Sequence, residues 1–73
     1  MIVYVVLYGD RHVDPAVEVF DRSVDAIASA WQFARANARH PDNIQEEESP
    51  WLLYLRYSNE GDFVRVEEVE VQS

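Results

Sequence analysis

The chain has no cysteine and no lysine. Without cysteine, neither a disulfide framework nor a thiolate zinc site can staple the fold. Without lysine, the basic side chains are all arginine, six against fourteen acids, for a formal net charge of −8. Such a field repels nucleic acid and anionic membranes and favours basic partners. Long hydrophobic runs are also missing. The apolar opening Met1 to Tyr8 is far too short to span a bilayer. It lacks the basic start and small-residue cleavage site of a secretory signal. A cytoplasmic protein that binds neither membrane nor nucleic acid directly is the expectation.

At 73 residues the chain makes one domain, 1–73. A core of this size rarely supplies more than about 3–5 kcal/mol of net stability. With no disulfide available, an unusually apolar core or self-association has to contribute, and a homodimer is expected. The apolar fraction of 48% fits a folded chain.

Ile2 to Tyr8 is apolar at every position and rich in Val and Tyr. That predicts a strand covered on both faces. Gly9 to Pro15 reads as a loop, and Ala16 to Phe20 as a second strand pairing back on the first. Ser23 is a suitable N-cap, and Asp25 complements the first helical turn. Val24, Ile27, Trp31, Ala34 and Ala38, widened by Ala30, form an apolar stripe that predicts a helix to about Ala38, ended by Pro41. His40 to Pro50 is a polar loop with room for a short turn. Trp51 to Tyr57 is another strand, and Ser58 to Gly61 fits a turn with glycine in the left-handed region. Phe63 to Val71 pairs back. Its valines change parity between Val66 and Val69, and a β-bulge at Glu67–Glu68 would turn all of them inward. The expected fold class is α+β: ββαββ, a four-stranded antiparallel sheet in the order 2-1-3-4, with one helix packed on one face.

One helix covers only one sheet face. With Val3, Val5 and Leu7 beneath it, the other face would carry Tyr4, Val6, Tyr8, Leu52, Tyr54, Arg56, Phe63 and Arg65. Tyrosine, aliphatics and arginine in one patch are the composition of an interaction surface. Aromatics on an open sheet also resemble RNA-binding sheets, but the net charge opposes phosphate binding.

Asp10, His12 and Asp14 in the first loop have the side chains of a weak divalent-metal site. Asp-x-His-x-Asp is equally ordinary turn chemistry. Asp42, Glu46, Glu47 and Glu48, with Glu60 and Asp62, form an acidic set able to imitate a phosphate array towards a basic nucleic-acid-binding protein. No catalytic motif is present, and no cofactor is expected. The lack of lysine also suits a GC-rich genome, and the acidity a salt-adapted cytoplasm.

The segment Tyr4-Val5-Val6-Leu7-Tyr8-Gly9-Asp10-Arg11-His12-Val13-Asp14 resembles the start of a group of small uncharacterised prokaryotic and phage proteins. In these a Tyr/Val strand runs into an Arg-His turn with a following Asp. Val13 stands where that pattern has glycine. The resemblance implies the ββαββ plan and no activity. In size, charge and lack of enzyme motifs the chain is also similar to phage anti-defence proteins of the anti-CRISPR type.

Three readings follow. The first is a non-enzymatic acidic protein-binding module, self-associating through its open sheet face, whose sharpest form is a phage inhibitor that mimics DNA. The second is a small metal- or ligand-binding domain centred on Asp10, His12 and Asp14. The third is a housekeeping protein acidic for solubility. They diverge on metal: the first and third predict an unchanged melting temperature in EDTA, whereas a drop of several degrees would establish the second, because a bound ion stabilises by mass action.

Overall fold

The computed structural model describes residues 1–10, 16–58 and 61–72. The elements are β1 (Ile2–Gly9), β2 (Ala16–Phe20), α1 (Ser23–Asn37), a short 3-10 turn (Pro41–Asn43), β3 (Gln45–Glu46), β4 (Leu53–Arg56) and β5 (Phe63–Glu70). They form an α+β domain with α1 against a five-stranded sheet in the order β2-β1-β5-β4-β3, every neighbouring pair antiparallel. The expected four strands in the order 2-1-3-4 are corrected in two respects. Gln45–Glu46, in the expected loop, adds an edge strand. The last strand also takes the central place beside β1 that was assigned to the strand expected over Trp51 to Tyr57, which is itself shorter, Leu53–Arg56. Length explains the exchange: β1 and β5 each have eight residues and pair along their whole length, whereas β4 has four.

That pairing runs without interruption from Ile2 opposite Glu70 to Gly9 opposite Phe63, and Val71 N–H donates to Met1 C=O at 2.7 Å beyond it. There is no bulge at Glu67–Glu68. Val69 instead faces Val3 on the side away from the helix, where an apolar neighbour already waits. The register also decides which half of β1 is buried. Directly opposed residues of an antiparallel pair share a face, and Val6 opposes Val66 while Tyr8 opposes Val64. All four are buried, with Leu53, Leu55 and Tyr57 from the β4 side. The helix therefore covers Tyr4, Val6 and Tyr8, and Val3, Val5 and Leu7 are left on the open face, the reverse of the expected parity. An unbroken apolar strand carries no alternation from which to read its own facing.

The helix starts at Ser23. The expected cap residue is its first helical residue, and Arg22 is the N-cap, extended and without a side-chain cap bond. Ala26, Ala30 and Ala34, four residues apart, are fully buried, and Ile27, Trp31 and Phe33 flank them half-buried. Val24 is corrected from the stripe to the surface, at 55% exposure. It lies about 200° around the helix from Ala26. The alanines let the helix backbone approach Leu55, Val6, Val64 and Val66, the largest fully buried side chains. Gly61, at φ +94°, occupies the left-handed region that the turn before β5 needs. The rest of that turn, Asn59 and Glu60, lies outside the described residues.

Close helix–sheet approach makes added volume costly. Ala30→Leu should destabilise by about 1–3 kcal/mol, a fall in melting temperature of about 4–8 °C per kcal/mol. The same change at the exposed Ala28 should alter little. Paired thermal melts of the two variants test this directly.

Candidate functional site

The face turned from the helix has two zones. On one side Val17 and Val19 of β2 stand opposite Leu7 and Val5 of β1, and Val3 stands opposite Val69 of β5. Val17 and Val19 are 57% and 62% exposed. On the other side the Tyr54 ring stacks on Phe63 (5.4 Å, 9°) and on Trp51 (5.6 Å, 24°). The Arg65 guanidinium lies 4.4 Å over the Trp51 ring. Phe63 lies across Gly9, whose missing side chain makes room for the ring: a Cβ there would collide with it.

The charges of this face pair among themselves. Arg56 Nη2 meets Glu47 Oε1 at 3.0 Å and donates to Gln45 Oε1 at 3.1 Å, while Arg65 Nη2 is 3.9 Å from Glu67 Oε2. Two arginines thus offset two glutamates, leaving a formally neutral patch on a chain of charge −8.

Of the residues assigned to this face by sequence, Tyr54, Arg56, Phe63 and Arg65 are on it, and the exposed Leu52 directly precedes β4. Tyr4, Val6 and Tyr8 are not, for the reason of register above. Val3, Val5, Leu7, Val17, Val19, Trp51 and Val69 were missed. Val17 and Val19 were legible as one face of their strand, but nothing local said that the helix lay on the other side.

The acidic set does not form one array. Asp42, Glu46 and Glu48 are exposed, Glu47 is held by Arg56, and Asp62 is buried, accepting a bond from Ser58 Oγ at 2.9 Å. Glu60 lies outside the described residues, as do His12 and Asp14. Among the described residues no group of three or more His, Asp or Glu is placed to hold a metal, and no helix is long and apolar enough to cross a membrane.

Asp10 is instead part of a polar network where β1, β4 and β5 meet the end of the helix. It is buried and accepts a 2.6 Å bond from the Tyr57 hydroxyl. With Asp62 it lines a cavity of about 450 Å³, bordered by Asn37, Arg39, His40 and Arg56. Burial, followed by the bond to Asp10 and the charges of Asp10 and Asp62, pushes the Tyr57 phenol far above its ordinary range. Tyr8 is also raised, chiefly by burial. A short bond with Ser29 Oγ (2.7 Å) opposes the shift, and the charge of Glu18, to which the phenol donates at 3.2 Å, adds to it. Both phenols therefore remain neutral donors that tie β1 to its neighbours.

Comparison with protein-family models, with curated proteins and with solved structures finds no match for this chain.

The network predicts an alkaline weakness. A phenol whose pKa is raised on folding contributes stability that is complete below the unfolded value near 10 and lost as pH rises through the folded value. The urea midpoint of the wild type should fall from about pH 10 upward. In Tyr57→Phe that fall should be shallower. At pH 7 the variant should be less stable by about 1.5–3 kcal/mol, the worth of a hydrogen bond to a charged acceptor.

Proposed function

We propose that this protein is a non-enzymatic protein-binding module that self-associates through the open face of its sheet. The observation that carries the reading is the neutral, largely apolar face itself, on an otherwise strongly acidic molecule. Two copies meeting elsewhere would oppose like charges, whereas meeting here they oppose valines, aromatic rings and ion pairs already closed within each copy.

The dimensions support a second copy as the occupant. Eight-residue strands run about 27 Å, and five strands at about 4.8 Å spacing span about 24 Å. Allowing for the shorter strands, the face offers roughly 450 Å² per copy, about 900 Å² for a pair, the size of a weak association. Tyr54 and Arg65 are of the types that dominate such interfaces. A small domain without disulfides also gains stability from association.

The alternative of an acidic inhibitor that imitates a phosphate array has less support, because two of its carboxylates are already engaged: Asp62 is buried and Glu47 is paired. The metal reading retains Asp10 alone among the described residues, and Asp10 is bonded to Tyr57.

Light scattering and sedimentation should give a dimer mass at micromolar concentration. Tyr54→Glu, and separately Val5→Arg with its new charge opposite Glu67, should each weaken association about 100-fold, equivalent to about 2.7 kcal/mol. Ala28→Glu on the outer face of the helix should leave it unchanged. A monomer mass for the wild type up to hundreds of micromolar would refute the proposal.

A further inference from the structure

The two edges of the sheet are built differently. At one edge β3 has only two residues, Gln45 and Glu46, and runs into Glu47 and Glu48, the short, charged form that discourages pairing. At the other edge β2 presents five residues, Ala16-Val17-Glu18-Val19-Phe20, without proline, basic residue or bulge. Among the described residues β2 makes backbone bonds only to β1, so its outer edge is a template for one more strand.

Beside that edge, on the helix side, lies a groove of about 350 Å³ between β2 and α1. Tyr8 and Phe33, whose ring centroids are 4.4 Å apart, supply its apolar wall. The small Ala16 leaves its mouth low, and Glu18, Ser29 and Gln32 border it. None of the described groove residues is basic.

We propose that the β2 edge and this groove form a strand-addition site for an extended segment of another protein, with β-branched apolar residues on one parity and basic residues on the other. The alternation is dictated by the two sides of β2. On the open side an added strand would lie against Val17 and Val19, where apolar cross-strand pairs are favourable. On the helix side it would lie against Glu18, where a basic residue forms the favourable opposite-charge pair and its aliphatic stem can run over Ala16 into the groove. Charge selects a foreign strand over a second copy: the two-fold register that pairs Val17 with Val19 sets the two Glu18 carboxylates face to face. The site adjoins the open face and shares Val17 and Val19 with it, while its backbone edge and the groove lie outside that face.

The test uses the ¹⁵N-labelled full chain and capped ten-residue peptides. The alternating Val/Arg peptide should shift the amides of Ala16–Phe20 and Phe33 and show cross-strand proton contacts with β2. Three controls should bind at least ten-fold more weakly: the same composition in two blocks, an alternating Val/Glu peptide, and the Val/Arg peptide N-methylated at alternate residues. Glu18→Gln should weaken the Val/Arg peptide several-fold while leaving the fold unchanged by circular dichroism. Equal affinity for the blocked or N-methylated peptide, or shifts elsewhere on the acidic surface, would reduce the effect to charge attraction and overturn the proposal. Cross-strand contacts between the β2 amide protons of two copies, seen without peptide in a mixed-label sample, would assign the edge to a second copy and overturn it equally.

Discussion

The pairing of β1 with β5 is the constraint on which the other features depend. Val6 against Val66 and Tyr8 against Val64 place four buried side chains beneath the alanine stripe of α1. Because side chains alternate with a period of two, slipping this register by one residue would carry one strand's buried set to the opposite face. The same pairing sends Val3, Val5, Leu7 and Val69 to the open side and displaces β4 from the centre. It also leaves β2 at the edge and brings the end of β1 to the place where Asp10 meets Tyr57.

Charge is arranged around that frame rather than spread evenly. The open face closes its own ion pairs, Arg56 with Glu47 and Arg65 with Glu67. Exposed ion pairs of this kind add little stability, and their consequence here is to leave a large, formally neutral patch. At the end of the sheet Asp10 and Asp62 are buried, where carboxylates require hydrogen bonds, and Tyr57 and Ser58 donate them. The acids that remain exposed give the molecule its repulsive character towards anionic surfaces.

A single helix on a five-stranded sheet leaves a face and an edge for other uses. The composition of the open face favours a copy of the same chain, because its charges are already offset. The composition of the edge favours a different chain, because Glu18 repels its own counterpart. Around Asp10, Tyr57 and Asp62 the hydrogen bonds join the end of β1 to the residues between β4 and β5.

The sequence by itself determined the class of fold, the existence of the one helix between the strand at Ala16–Phe20 and Pro41, the antiparallel pairing of the last two strands, and the presence of an uncovered sheet face carrying Tyr54, Arg56, Phe63 and Arg65. These are local matters: a 3.6-residue stripe, a turn residue and the arithmetic of one helix against a sheet are visible in neighbouring residues. The facing of β1 was hidden because Ile2 to Tyr8 is apolar on both sides. The place of Phe63–Glu70 was hidden because its parity change at Val69 is compatible either with a bulge or with a second apolar face. Gln45–Glu46 became a strand only because β4 offered it an edge. The tertiary structure decided these points, since register and strand order arise from pairings between residues far apart in the chain, where hydrophobic burial beneath the alanines of α1 selects among alternatives that local propensity leaves equal.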